Sequence, residues 1–217
     1  PFNTFLYAQG RSLEMQICAP YYISKYLKCI SISKENPYPF FFCIGENGLS
    51  YFQLLCQIIE SCLSQEEEKL FEKNEPGLEK YIRKTISNIY QTFSNLILWI
   101  PKNSQKNENG EYEEIGQFFF YASKAFELNI EWVYCKLLNC LNQILNYNFE
   151  FIYPYFLSST INLPICQIIN NQNPIDVQQT AIILIYKLLK NPDFLFLSSS
   201  IKTQAVFSTA DSSFGTM

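Results

Sequence analysis

The stretch NLPICQIINNQNPIDVQQTAIILIYKLLKNP, Asn162 to Pro192, reads as two apolar helices joined by a polar turn. In its second helix, about Pro174 to Lys190, Val177, Ala181, Leu184, Ile185 and Leu188 fall on one stripe. Ile182, Ile183, Tyr186 and Leu189 make the other sides apolar as well. A helix apolar nearly all round is expected to be buried between neighbours. The first helix, about Ile161 to Asn171, offers Ile165, Ile168 and Ile169 at helical spacing after Leu163-Pro164. Asn173 is placed to cap the second helix, with Pro174 at its first position, where a missing N–H costs nothing.

Outward from this pair the chain keeps the same period. Ser12 to Ser33 predicts a helix interrupted by Pro20, and Asn36 to Gly48 (NPYPFFFCIGENG) a connection punctuated by Pro37, Pro39, Gly45 and Gly48. From Leu49, apolar residues at Phe52, Leu55, Cys56, Ile59 and Leu63 mark an amphipathic helix ending in the charged QEEEK. The next helix is expected from near Pro76 to about Trp99, stopped by Pro101. Lys102 to Glu114 (KNSQKNENGEYEE) has no hydrophobic period and predicts a mobile loop, an insertion rather than a domain border. Helices follow at about Ile115 to Leu128 and Glu131 to Tyr147, then a short FEFIYPYFL link containing Pro154. Residues 198–217, small and polar, predict a loosely held tail or linker, leaving 1–197 as one domain. No segment alternates apolar and polar residues long enough for a strand, and Val occurs only at Val133, Val177 and Val206. The fold class is all-α.

The opening stretch resembles an armadillo repeat. In that family a Leu-Pro pair precedes the second helix, and the third helix carries Val, Ala, a small or apolar residue, Leu, Asn and Leu. The matching positions are Leu163-Pro164, Val177, Ala181, Leu184, Ile185, Lys187 and Leu188. The same frame recurs at Leu137, Cys140, Leu141, Gln143 and Ile144, 44 residues upstream, and at Ile82, Thr85, Ile86, Asn88 and Ile89, a further 55 upstream. Armadillo and HEAT arrays have periods of roughly 40 to 47 residues, and the polar insertion accounts for the longer interval. The resemblance implies a right-handed α-solenoid of stacked helical hairpins; an irregular α-helical bundle is the alternative.

Family members that bind nuclear-import signals line their groove with a Trp and an Asn on adjacent turns of the third helix. The matching positions are Ile183 and Lys187 in the last copy and Lys84 and Asn88 in the first. The Trp is absent from both, and the Asn survives only as Asn88. Without aromatic walls to sandwich lysine stems, a basic import peptide is a poor fit. The last copy instead presents Gln179, Ile183, Lys187 and Lys190 as a mixed ladder suited to an extended or helical peptide of acidic character. With Asn88, these are the candidate partner-binding residues.

Composition removes much chemistry. The chain has no histidine, which excludes His-based acid–base catalysis, Ser-His-Asp and Cys-His nucleophiles and imidazole metal ligands supplied by this chain alone. There is no Gly-rich phosphate cradle, and GENG at Gly45 to Gly48 reads as a turn rather than a nucleic-acid clamp. Glu66, Glu67 and Glu68 read as a solvated helix end. Glu111, Glu113 and Glu114, in or beside the polar loop, read as solubilising charge with ordinary acidity. The eight cysteines, Cys18, Cys29, Cys43, Cys56, Cys62, Cys135, Cys140 and Cys166, form no C-x-x-C pair; they read as buried structural thiols in a reducing, cytoplasmic or nuclear, compartment. A net charge of −4 disfavours nucleic acid. No apolar run approaches the roughly 18 to 20 residues of a membrane span, and PFNTFLYAQGR lacks the basic start and apolar run of a secretory signal.

The expectation is therefore a non-enzymatic scaffold without cofactor or metal, contributing a helical-repeat surface for protein partners to a larger assembly. A karyopherin-type transport-receptor segment and an accessory subunit of an enzyme complex are the alternatives.

Overall fold

The structure, a computed structural model, describes residues 12–45, 48–67, 77–100, 112–147, 149–170 and 172–190. Among them every regular element is a helix: α1 (Leu13–Ser31), α2 (Tyr38–Phe42), α3 (Tyr51–Glu67), α4 (Glu79–Ile97), α5 (Glu113–Glu127), α6 (Glu131–Tyr147), α7 (Phe149–Phe156), α8 (Ser159–Asn170) and α9 (Ile175–Leu189). Pro76, Pro101, Glu68, the polar stretch from 102 to 111 and the tail from 198 lie outside the described residues.

Alternate helices form two rows. In the first, α1 packs on α4, α4 on α6 and α6 on α9; in the second, α3 packs on α5 and α5 on α8. The rows are joined where α3 and α5 meet α4, and where α8 meets α9, while α7 bridges α5, α6 and α8. α4 is the most enclosed member. Its stripe of Ile82, Ile86, Ile89, Phe93 and Leu96 is buried, and from Tyr90 onward most of its other positions are buried too. Each such aliphatic or aromatic side chain contributes about 1.5–3 kcal/mol on leaving water. Two hydroxyls that this helix buries bond within it: Thr85 Oγ1 donates to the Tyr81 carbonyl (2.7 Å) and Thr92 Oγ1 to the Asn88 carbonyl (2.8 Å).

Aromatic rings run as a continuous string through the interior. Phe42 stacks on Phe52, and Phe52 meets Phe93 edge-on (5.5 Å). Phe93 meets Phe118, Phe118 meets Phe119, and Phe119 meets Phe156. The string links α2, α3, α4, α5 and α7, so much of the chain's aromatic content is core. Hydrogen bonds reinforce it: Tyr90 Oη donates to the Tyr121 carbonyl (2.7 Å), and Tyr121 Oη to the Cys56 carbonyl (3.1 Å).

Several sequence expectations need correction. α1 continues through Pro20 without interruption, the FEFIYPYFL link is the helix α7 with Pro154 inside it, and α8 begins at Ser159, so Pro164 lies within it rather than at its head. Proline removes one i→i−4 hydrogen bond, and here packing carries the helices past that loss. The connection from Asn36 to Gly48 contains a helix of its own, α2, because Phe41 and Tyr38 insert into the core. Glu46 and Asn47 of the GENG segment lie outside the described residues; at its ends the Gly45 N–H donates to the Leu49 carbonyl (3.0 Å) and Gly48 stands at φ +76°, a conformation that glycine adopts freely. α9 is not enclosed on all sides: it buries Val177, Ala181, Leu184 and Leu188, while Ile182, Ile183, Tyr186 and Leu189 are exposed. Asn173 does not cap it; its Nδ2 donates backwards to the Ile168 carbonyl (3.2 Å), and Pro174 occupies the cap position.

Candidate functional site

Polar side chains cross the first helix row as a seam. On α4, Asn88 Nδ2 donates to Ser24 Oγ (3.3 Å) and Asn88 Oδ1 accepts from Lys28 Nζ (3.4 Å), both partners on α1. Two turns further, Asn95 Nδ2 donates to Ser31 Oγ (3.0 Å). Between α4 and α6, Gln91 Nε2 donates to Gln143 Oε1 (3.1 Å), Gln143 Nε2 to Asn95 Oδ1 (3.4 Å), and Lys136 Nζ to Gln91 Oε1. Between α6 and α9, Asn142 Nδ2 donates to the Thr180 carbonyl (3.3 Å) and Asn142 Oδ1 accepts from Lys187 Nζ (3.0 Å).

The seam has a register. Asn88 and Asn95, Lys136 and Gln143, and Thr180 and Lys187 are pairs seven residues apart, two turns of helix. Each pair meets the preceding helix of the row. Successive pairs are 48 and 44 residues apart. The apolar frame starting at Ile82 instead aligns Asn88 with Gln143, an interval of 55. α4 is apolar or buried on nearly every side in its second half, so apolar positions alone leave its register open by a turn or two.

Ser24, Ser31, Asn95 and Asn142 are buried, whereas Lys28, Asn88, Gln91, Lys136, Gln143 and Lys187 are half-buried. Among the described residues the ion pairs are Arg83–Glu79 and Lys124–Glu60, so the seam lysines have amide partners and no carboxylate. A buried or half-buried ammonium held only by neutral oxygens retains most of its attraction for an anion. Together the amides and ammonium groups offer both donors and acceptors along one line. Groups of these kinds can hydrogen-bond carboxylates and peptide groups.

Of the five residues singled out from sequence, Lys187 and Asn88 belong to the seam, at opposite ends of it, separated by α6. Gln179, Ile183 and Lys190 are exposed on α9, and the Lys190 ammonium lies over the Tyr186 ring, 4.6 Å from its centroid. Lys28, Gln91, Asn95, Lys136 and Asn142 were missed. Asn95 and Lys136 carried a signal, each two turns from another polar residue, Asn88 and Gln143, on helices with mostly apolar faces; Lys28, Gln91 and Asn142 carried none.

Glu114 departs most from expectation. It stands in the first turn of α5 and is buried, accepting from Tyr38 Oη of α2, and burial pushes its carboxyl above the ordinary range. The thiols also differ: only Cys62 and Cys140 are buried, and Cys29, Cys43 and Cys166 are exposed. All eight are free. A cleft lined by Asn129, Tyr134, Gln167 and Asn173 has a volume of about 70 Å³, far below the roughly 300 Å³ of a small-molecule site. No cluster of three metal-ligating side chains exists among the described residues, and none of their helices is long and apolar enough to cross a membrane.

No family model, no curated protein and no solved structure matches the chain.

Proposed function

We propose that the chain is a non-enzymatic protein–protein interaction scaffold, an armadillo/HEAT-like solenoid whose row α1–α4–α6–α9 offers its polar seam to an extended acidic segment of a partner protein. The observation that carries this reading is the seam itself: Lys28, Lys136 and Lys187, one on each of three row helices, held by amides and unpaired with any described carboxylate. An extended peptide laid across the row would meet amide donors and acceptors for its backbone and ammonium groups for its carboxylates.

Two further facts support the solenoid. Alternate helices fall into two rows, and the seam pairs recur at intervals of 48 and 44 residues, close to the roughly 40 to 47 of such arrays. The position of Pro164 inside α8 departs from the armadillo pattern and favours the looser HEAT-like end of the resemblance. Eight free thiols support a reducing, cytoplasmic or nuclear, setting.

The test is fluorescence anisotropy with two labelled peptides of equal length, one Glu-rich and one Lys-rich. The Glu-rich peptide binds the wild type more tightly, its affinity falls with salt, and the triple variant Lys28→Glu/Lys136→Glu/Lys187→Glu loses binding by tenfold or more, about 1.4 kcal/mol. Equal binding of both peptides, or an unchanged affinity in the triple variant with native circular dichroism, overturns the reading.

A further inference from the structure

Among the described residues α1 and α9 are the outer members of the first helix row, and each exposes an apolar face. On α9, Ile175, Ile182, Tyr186 and Leu189 are between 41% and 73% exposed. On α1, Met15, Tyr22 and Tyr26 are between 46% and 61% exposed, and Cys29 continues the line. The two stripes share one spacing, steps of seven, four and three residues, so each is a single ridge along its helix. Contiguous apolar surface of this kind marks an interaction site far more often than scattered exposed residues do.

The α9 face also has an interior counterpart. Asn142, 44 residues before Tyr186, hydrogen-bonds α6 to α9, as does Cys135 through Asp176, and Leu138 and Leu145, 44 before Ile182 and Leu189, are buried. At Ile182, Tyr186 and Leu189, α9 thus repeats in the same register a face that α6 keeps covered, while Ile175 corresponds to the exposed Glu131. Among the described residues no helix follows α9 on that side, and α1 has an apolar side to offer.

We propose that the chain associates head to tail with a second copy of itself, the outer face of α9 packing on the outer face of α1 of the next copy, so that the helix row continues across the contact. The contact is heterologous: the two surfaces differ, and each copy keeps one of each free. Association therefore extends beyond a dimer unless the rotation between copies closes a ring. The proposal rests on the packing of the row and is independent of peptide binding by the seam.

Sedimentation equilibrium on the full chain tests it, with Ile182→Glu/Tyr186→Glu disabling the α9 face and Tyr22→Glu/Tyr26→Glu disabling the α1 face. The wild type gains mass with concentration, each variant alone stays monomeric, and an equimolar mixture of the two forms a 1:1 dimer and nothing larger. That pattern belongs to a head-to-tail contact alone. A wild type that stays monomeric over an about hundredfold concentration range overturns the proposal, as does a mixture that fails to dimerise. The first result means that terminal segments or another protein cover the faces. Because charge substitution can unfold a helical protein, a second measurement avoids it. Leu189→Cys yields a disulfide-linked ladder under mild oxidation that Cys29→Ser abolishes; a ladder that survives Cys29→Ser also overturns the proposal.

Discussion

Lys187 on α9 donates its ammonium to the amide oxygen of Asn142 on α6 at 3.0 Å, while the same amide's Nδ2 reaches the Thr180 carbonyl. One buried side chain thus holds both turns of the next helix. Asn142→Ala removes it and leaves the Lys187 ammonium half-buried without its oxygen, lowering stability by about 2 kcal/mol. Lys187→Met alone costs less than 1 kcal/mol, since its stem still packs. In urea unfolding the double variant is less destabilised than the sum of the two, and strict additivity would show that the bond contributes nothing.

Glu114 makes stability depend on pH in a direction opposite to that of an ordinary paired carboxylate. Burial raises its folded-state pKa, against a smaller lowering by the Tyr38 bond, and the neighbouring Glu113 adds to the rise. A group that holds its proton more tightly folded than unfolded stabilises fully below its unfolded value. That stability is lost as pH rises through the folded value. Thermal melting of Glu114→Gln, compared with wild type at about pH 5 and pH 8, shows a smaller decline with pH and a higher melting temperature at pH 8. An unchanged difference between the two pH values would remove Glu114 from the explanation.

The thiols should separate cleanly by position. Cys29, Cys43 and Cys166 are exposed, whereas burial pushes the Cys62 thiol up to about 12 and that of Cys140 up to about 11. At pH 8 the two buried groups hold almost no thiolate, the reactive form. N-ethylmaleimide followed by peptide mass spectrometry finds the exposed three modified first and Cys62 and Cys140 only once denaturant is added. Early labelling of Cys62 would mean that α3 does not pack as described.

Tyr90 is fully buried with its hydroxyl on the Tyr121 carbonyl, and its ring meets Phe118. Tyr90→Phe keeps the ring and loses the bond, costing about 1 kcal/mol, whereas Phe93→Ala opens the aromatic string and costs about 3–5 kcal/mol. Guanidinium melts read both, and the ratio between them is the sharper check.

The helical period was legible because buried faces repeat at three and four residues; α6 runs over Glu131–Tyr147 in both readings. Prolines were the main source of error. Pro20, Pro154 and Pro164 each looked like a boundary, yet all lie inside helices, because local preference yields where both flanking turns are packed. The burial of Glu114 was hidden for a related reason. Its partner Tyr38 is 76 residues away, and local polarity carries no trace of so distant a contact. Lys187 and Asn88 stood out through their place in a repeating frame, but the line that joins them runs across α6, and only three-dimensional packing reveals the amides that complete it.

The unequal embedding of α4 and the α8–α9 hairpin sets an order of opening. α4 touches α1, α3, α5 and α6, so it cannot detach without dismantling most of the molecule, whereas the main contacts of α8 and α9 beyond each other are with α5, α6 and α7. Structures assembled by neighbour contacts fray from their outer members, here α1, whose main contact is with α4 alone, and the α8–α9 hairpin. Amide hydrogens of α1 and α9 therefore exchange through local excursions well before global unfolding, while those of α4 wait for it, and the described helices behave as a firm block with a hinged leaf on either side.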